Sequence, residues 1–266
     1  FVTEQTQALE NVALIGGRIA AQYLVDVNSR LRLFRLDGTP QEQIALPGVG
    51  SVFGLSGRQD TSDVWYAFSS PLMPTTVFRY DPATRHSTAF EPPEAPIDAS
   101  RYETTAGFAT SRDGTRVPFF MTARKGVRRA GANPVMLYGY GGFSVSTLPA
   151  YRADVPAWLE LGGVWVTTNL RGGAEYGEAW HRAGVRDNKQ RVFDDFIAVA
   201  EHLVRDNLTA PARLGMMGGS NGGLLVAAVA NQRPDLFAAA LPAVGVLDML
   251  RYDRFTGGKL WVEEYG

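Results

Sequence analysis

A glycine-rich turn around one serine constrains this chain more than any other part of its sequence. Residues 213–226 predict a short buried strand, a tight turn and a helix, and the turn from Gly218 to Gly222 fits the pattern Gly-x-Ser-x-Gly around Ser220. Glycines on both sides remove Cβ atoms where strand, helix and substrate crowd together. The helix that begins after the serine has free backbone N–H groups at its start, and these would face the negative charge that forms on a substrate. The pattern therefore predicts Ser220 as a nucleophile. The alternative is a glycine-rich turn that only packs or binds a phosphate.

Composition narrows the classes of chemistry and partner. The 266 residues contain no cysteine, which excludes disulfides, thiolate metal sites and a cysteine nucleophile. The formal net charge of −1 gives no attraction for nucleic acid or an acidic membrane, and no apolar run approaches the ~18 residues of a membrane span. The histidines, His86, His181 and His202, lack metal-ligand spacing. We expect a soluble protein, cytoplasmic or periplasmic, with no cofactor, metal, nucleic-acid partner or membrane association.

The first 90 residues or so predict β-structure with an internal repeat. Strands over 19–27 and 31–36 flank a predicted turn at Asn28-Ser29, and a second pair of strands covers 64–68 and 76–80. Leu33 to Asp37 is similar to Val77 to Asp81, an offset of 44 residues from position 33 to position 77. Four-stranded propeller blades repeat every ~40–50 residues, so the offset favours two blades. A piece of a sandwich or barrel is the alternative.

The second half of the chain predicts alternating strands and helices. A proline-rich linker at 91–96 marks the boundary, and a hairpin with a turn at Asp113-Gly114 follows it. Strands apolar along their length that alternate with helices indicate a parallel sheet covered on both faces. The predicted elements are strands at 135–138, 164–168, 214–217 and 238–246, and helices at 155–161, 191–205 and from the serine turn to about Arg233.

Acyl transfer by a serine needs oxyanion donors and a base. The backbone N–H of Asn221 is one predicted donor, and a second would come from the glycine-rich loop Tyr138 to Phe143, which could instead be only a tight turn. No histidine follows Ser220 in this chain, and we interpret His181 and His202 as structural. Asp248 follows the last apolar run but precedes any final strands, so it is not favoured as the acid.

Several stretches together point to a known family. They resemble motifs of the prolyl oligopeptidase family, cover most of residues 134–266 and are highly specific in combination. The β region resembles that family's propeller. The motifs are Leu137–Phe143, Asn169–Gly177, Asn188–Gln190, Phe193–Phe196, Gly218–Leu225, Asn231–Phe237 and Val244–Leu250.

The resemblance implies roles for particular residues. Ser220 resembles the nucleophile, and Tyr140 resembles the tyrosine whose hydroxyl completes the oxyanion hole with the Asn221 N–H. The implied activity is hydrolysis of short proline-containing peptides on the carboxyl side of proline, with Trp261 stacking on the proline ring. The residues implied to line the proline pocket are Phe143, Asn221, Val246, Trp261 and Tyr265.

The resemblance also implies a domain plan. Residues 1–95 would be the C-terminal blades of a β-propeller, and 96–266 the N-terminal portion of an α/β-hydrolase domain. The family's acid and histidine would lie beyond Gly266. We therefore expect an internal fragment that is inactive alone and needs the remaining segments of the same enzyme for its full fold.

Two other functions stay open. A relative that cleaves after basic or acylated residues would need buried carboxylates for a basic side chain, and Glu263-Glu264 is the nearby acidic pair, interpreted here as solvated. A non-catalytic propeller and hydrolase interaction protein would fit the missing histidine, but the intact serine turn and Tyr140 argue against it.

Overall fold

The computed structural model describes residues 7–266 and divides into two compact units. The first comprises residues 1–100 with 148–156, and the second comprises 101–147 with 157–266. The first six residues of the predicted blade region lie outside the described residues. Within the described part, no helix is both long enough and apolar enough to cross a membrane.

The first unit contains two antiparallel sheets, each of four strands joined in sequence order. Leu33 lies on β3 and Val77 on β7, the third strand of each sheet, so the 44-residue offset predicted from the sequence relates equivalent strands. The two sheets share one apolar core, in which Tyr66 stacks on Phe78. The strands are β1 Ala8–Ile15, β2 Arg18–Val25, β3 Asn28–Arg35, β4 Pro40–Ile44, β5 Ser51–Ser56, β6 Val64–Ser70, β7 Met73–Asp81 and β8 His86–Phe90.

The first predicted hairpin turn was placed two residues too late. The turn is Asp26-Val27, with φ of 45° and 62°, and Asn28 and Ser29 already belong to β3. Two positive φ values are typical of the tight two-residue turns that join twisted strands. The side chains of Asn28 and Ser29 have another use, since they accept hydrogen bonds from the backbone N–H groups of Gly50 and Val52. Turn-forming residues here bridge two sheets instead of forming the turn.

The second unit is organised on a six-stranded sheet in the order β14-β13-β11-β12-β10-β9. β12, β11, β13 and β14 are parallel, as predicted, whereas the hairpin β9–β10 extends the sheet antiparallel beside β12. The sheet is therefore mixed. Its strands are β9 Tyr102–Thr110, β10 Arg116–Arg124, β11 Val135–Tyr138, β12 Val164–Thr168, β13 Leu214–Gly219 and β14 Ala239–Ala243.

β14 is apolar, as predicted, but it differs from the other parallel strands in its exposure. All five of its residues are exposed because it forms the edge of the sheet in the described residues. It also ends earlier than predicted, since Val244 has a φ of 45° and leaves the strand conformation.

Helices α3 and α4 contact the sheet and each other. The predicted amphipathic pattern is confirmed in α3, where one face, including Phe196 and Val199, is fully buried. The helices are α1 Asp154–Glu160, α2 Glu178–Arg182, α3 Lys189–Arg205, α4 Asn221–Gln232 and α5 Val262–Tyr265.

Candidate active site

Ser220 occupies the turn between β13 and α4. Its φ of 57° and ψ of −119° lie in a region that residues with a Cβ rarely adopt, and its side chain is exposed. The strand side fixes it through a hydrogen bond from its N–H to the Ala243 carbonyl, and its own carbonyl accepts from Gly223 and Leu224 of the helix. A serine held this way presents its hydroxyl to solvent on a strained but well-supported backbone.

Glycine at position 222 is required by the close approach of another loop. A Cβ there would lie 2.5 Å from the Gly139 carbonyl oxygen, and a Cβ at Gly218 would meet the same oxygen at 2.7 Å. Gly139 also donates its N–H to the Met217 carbonyl, two residues before the end of β13. The ends of β11 and β13 therefore interlock, and this brings the loop after β11 beside Ser220.

Tyr140 and Asn221 are hydrogen-bonded to each other beside Ser220. The Asn221 side chain, 1% exposed, donates from Nδ2 to the Tyr140 carbonyl at 2.6 Å. Burial raises the pKa of Tyr140, and a hydrogen bond with the Ser220 side chain partly opposes the rise. The Tyr140 hydroxyl therefore stays protonated at neutral pH, next to the serine.

An aromatic group adjoins these residues. The Phe143 and Tyr265 rings meet edge to face with centroids 5.6 Å apart, and Tyr252 packs on Tyr265 at 5.3 Å. The Tyr265 hydroxyl donates to Asn221 Oδ1 at 3.1 Å. Of the residues predicted from the sequence, Ser220, Tyr140, Asn221, Phe143 and Tyr265 therefore form one linked cluster.

Val246 and Trp261 are not linked to that cluster. Val246 follows β14, and Trp261 ends a short 3-10 turn just before α5. Both are half-buried, and in residues 7–266 neither makes a hydrogen bond or ring contact with the five linked residues. Their role in a pocket stays a prediction.

The interpretation of Glu263-Glu264 as a solvated pair is wrong for one of the two. Glu263 is exposed and pairs with Arg186, whereas the Glu264 side chain is 4% exposed. Glu264 accepts a hydrogen bond from Lys189 Nζ at 2.8 Å, and its other oxygen lies 3.1 Å from His181 Nε2. In the helix α5 the two side chains point in different directions, because successive residues are about 100° apart around the axis.

A second loop supports the loop after β11. It follows β12, and Gly172 at its centre accepts from the Ser144 N–H at 3.1 Å. Arg171, 4% exposed, anchors this second loop by donating from Nε and one terminal nitrogen to Asp195 of α3. Burial lowers the pKa of Arg171, but hydrogen bonds to Asp195 and Asp113 outweigh it, so the pKa is raised. Sequence reasoning missed this network, although Arg171 and Asp195 lie in two of the motifs.

The histidines do not contact the serine. In the described residues none of the three hydrogen-bonds to Ser220: His181 lies beside Glu264, His202 packs on Phe119, and His86 is exposed on β8. In the described residues the cluster thus holds a candidate nucleophile, Ser220, and two residues predicted as oxyanion donors, Tyr140 and Asn221, but no histidine.

Comparisons with known proteins find relatives for both parts of the chain. The family described as "Prolyl oligopeptidase, N-terminal beta-propeller domain" matches residues 1–93, and "Prolyl oligopeptidase family" matches residues 149–266. The chain is 39% identical to a prolyl endopeptidase of Elizabethkingia meningoseptica over 265 residues, and 36% identical to a prolyl endopeptidase of Dictyostelium discoideum. Each alignment covers all of this chain; it spans 37% of the first relative's length and 36% of the second's.

Solved structures give the same result. The chain matches a structure from a study of two prolyl endopeptidases with a TM-score of 0.90 and 43% identity, covering 99% of this chain and 39% of that one. It matches a post-proline cleaving enzyme from Rickettsia typhi with a TM-score of 0.83 and 32% identity, covering 100% of this chain and 39% of that one. The two four-stranded sheets lie in the range that the propeller model matches, and the Ser220 turn lies in the range that the peptidase model matches. This chain belongs to the prolyl oligopeptidase family.

Proposed function

We propose that the full-length protein is a serine endopeptidase that hydrolyses short peptides on the carboxyl side of proline. The observation that supports this most is Ser220, which is exposed on its strained turn and next to Tyr140. Relatives at 39% identity are named prolyl endopeptidases. Because the chain spans 37% of the first relative's length, the activity is proposed for the whole protein and not for these 266 residues alone.

In the proposed mechanism the Ser220 hydroxyl attacks the carbonyl carbon of the residue before the scissile bond. A base takes the serine proton and passes it to the leaving amine, so the peptide bond breaks and an ester forms on Ser220. Water then hydrolyses the ester. The base and the acid that orients it would lie in the part of the whole protein that these 266 residues do not include.

The negative oxygen formed in each step would be bound by two donors, the Asn221 backbone N–H and the Tyr140 hydroxyl. The N–H lies at the first turn of α4, where free N–H groups and the helix dipole favour an anion. The raised pKa of Tyr140 keeps its hydroxyl a donor. Each donor of this kind is worth roughly 10²- to 10³-fold in kcat.

We propose that the proline side chain lies against the aromatic group beside Ser220. Phe143 and Tyr265 offer apolar ring surface, Asn221 borders it, and Val246 and Trp261 complete the pocket. Aromatic faces suit the rigid pyrrolidine ring and bury it without unsatisfied polar groups. Glu264, the acid that a basic-residue pocket would use, is already paired with Lys189, which favours proline over lysine or arginine.

The domain plan belongs to the same proposal. Residues 1–95 are the C-terminal blades of a propeller and 96–266 the first portion of the hydrolase domain. A propeller in the whole enzyme would admit short peptides and exclude folded proteins.

The test uses the full-length gene product with a fluorophosphonate probe and matched peptides that carry Pro, Ala or Arg before the cut. We expect label on Ser220 alone, no label in Ser220→Ala, normal label in the control Ser56→Ala, and the highest kcat/KM for proline. A higher kcat/KM for the arginine peptide would reject the proposed proline specificity in favour of cleavage after basic residues. An unlabelled Ser220 with no peptide cleavage would favour the non-catalytic alternative.

A further inference from the structure

Lys189 joins α3 to the loop that bears Tyr140. Its Nζ donates to the Gly141 carbonyl at 3.0 Å and to Glu264 Oε1 at 2.8 Å. The lysine side chain is 12% exposed and the glutamate 4%, so the buried lysine charge depends on Glu264 for compensation, while the second oxygen of Glu264 also lies 3.1 Å from His181 Nε2. Gly141 directly follows Tyr140, and the ion pair therefore holds the loop one residue away from the proposed oxyanion donor.

Glu264 also packs against the backbone of that loop. A Cβ at Gly142 would lie 2.8 Å from Glu264 Oε1 and 2.5 Å from Asn221 Nδ2, so only glycine leaves room for both side chains. The next residue, Tyr265, donates to Asn221 Oδ1, and Asn221 in turn donates to the Tyr140 carbonyl. The helix α5 thus reaches the Tyr140 loop by two routes, one through Lys189 and one through Asn221.

The charges of the pair act in the direction that the proposed chemistry needs. Burial raises the pKa of Tyr140 and the negative charge of Glu264 adds to the rise, which keeps the hydroxyl protonated. Burial lowers the pKa of Lys189, and Glu264 opposes that change. The carboxylate therefore supports both a charged lysine and a neutral tyrosine beside Ser220.

We propose that Lys189 and Glu264 are positioning residues, whose ion pair fixes the Gly141 carbonyl and so aims the Tyr140 hydroxyl at the oxyanion of the Ser220 reaction. This inference rests on the proposed function. It differs from a purely structural role, since a structural pair would stabilise the fold without acting through Tyr140.

The test compares Lys189→Met, Glu264→Gln and the double variant in the full-length protein, each with Tyr140 intact and with Tyr140→Phe. Glu263→Gln is the matched control, because it removes a neighbouring but exposed ion pair with Arg186. The readouts are kcat and KM for a proline peptide, the rate of Ser220 phosphonylation and the melting temperature.

We expect the pair variants to lower kcat on the order of 10- to 100-fold with KM changed less than about threefold, the effect of a small misplacement of a catalytic group. Phosphonylation of Ser220 should slow in parallel, because it also develops charge on the bound oxygen. With Tyr140→Phe already present, the same substitutions should lower kcat by less than about threefold, since residues that act as a unit are not additive. The control should keep its rates.

The double variant guards against misfolding, because it leaves neither charge buried alone. A folded double variant with wild-type kcat, or an equal loss of kcat with and without Tyr140, would overturn the inference while Ser220 is still labelled and proline peptides are still cleaved. A wild-type protein whose Ser220 is not labelled would reject the proposed function, and this inference with it.

Discussion

Two buried ion pairs lie near the start of the helix α3, six residues apart, and they hold two different loops. Asp195 is fully buried and accepts from the backbone N–H, Nε and a terminal nitrogen of Arg171, which also reaches Asp113 and Ser111. Lys189 bonds one carboxylate oxygen and one carbonyl. The first pair anchors the loop after β12, and the second anchors the loop after β11.

The difference between the pairs follows from the two cations. A guanidinium is a planar fork that fixes a carboxylate through two parallel hydrogen bonds, whereas an ammonium is a compact charge that can be shared among acceptors. Arg171 therefore immobilises its loop and has no bond to the serine cluster in the described residues. Lys189 shares its charge with the residue after Tyr140. We expect the arginine pair to govern stability and the lysine pair to govern activity.

The largest effect should come from removing Asp195. Asp195→Ala leaves the buried Arg171 guanidinium without its buried acid and with only the partly exposed Asp113 as a charged partner, which should lower the free energy of unfolding by about 3–5 kcal/mol. Thermal unfolding of the full-length protein measures it. Asp113→Ala is the control, since its side chain is 44% exposed and solvent can replace it. Equal losses in the two variants would contradict the central role given to Asp195.

The second-largest effect tests whether Tyr140, on the loop that Lys189 holds, contributes to catalysis. Tyr140→Phe removes one proposed oxyanion donor and should lower kcat by roughly 10²- to 10³-fold, about 2.7–4 kcal/mol in the activation barrier. The melting temperature should stay the same, because the ring remains. Tyr176→Phe, an exposed tyrosine of the same unit, is the control. An unchanged kcat would mean that Tyr140 has no part in the mechanism. The Lys189–Glu264 pair would then have no route to activity, and it would not differ in role from the Arg171–Asp195 pair.

In residues 7–266 a third buried acid, Glu175, forms no ion pair with a cation, and it shows what pairing contributes. Glu175 is 3% exposed; its Oε1 accepts from the Thr147 N–H, while its Oε2 has no hydrogen-bond partner among the described residues. Burial raises its pKa to about 7, although the hydrogen bond from the Thr147 N–H opposes the rise. The folded protein therefore keeps a proton that the unfolded chain releases near pH 4.5.

The raised pKa of Glu175 makes the stability of the fold depend on pH. Between pH 4.5 and about 7 the folded state binds more protons than the unfolded state, so the contribution of Glu175 destabilises the fold increasingly and levels off above pH 7. Across this pH range the titration of Glu175 lowers the free energy of unfolding by about 3 kcal/mol. Glu175→Gln should raise the melting temperature at pH 8 and leave it unchanged at pH 4. The exposed Glu178→Gln is the control, and an equal gain at both pH values would argue against a titrating Glu175.

The smallest effect should come from the exposed pair beside Glu264. Glu263→Gln removes its ion pair with Arg186, and such pairs contribute roughly 0–1 kcal/mol because water solvates both partners. We expect no measurable change in melting temperature or in kcat. A loss comparable to that of Glu264→Gln would mean that the position in α5, and not burial of the charge, decides the effect.

Local signals in the sequence were sufficient for most of the architecture. Apolar runs and glycine-rich turns predicted the four parallel strands and the helices between them, since periodicity and turn chemistry act over a few residues. The same signals failed at Asn28 and Ser29, because their side chains bond to Gly50 and Val52 of the next sheet. A residue suited to a turn can serve a distant backbone group equally well.

The sequence by itself determined the strained serine turn, the glycine-rich loop after β11, the repeated third strand of the two sheets and the family resemblance. Only the tertiary structure decided which buried charges meet. Glu264 lies 75 residues from Lys189, and Asp195 lies 24 residues from Arg171. A charged residue in a sequence is expected at the surface. Burying it in its charged form costs least when folding brings a partner of opposite charge to within hydrogen-bond distance, and no local pattern in the sequence records that partner.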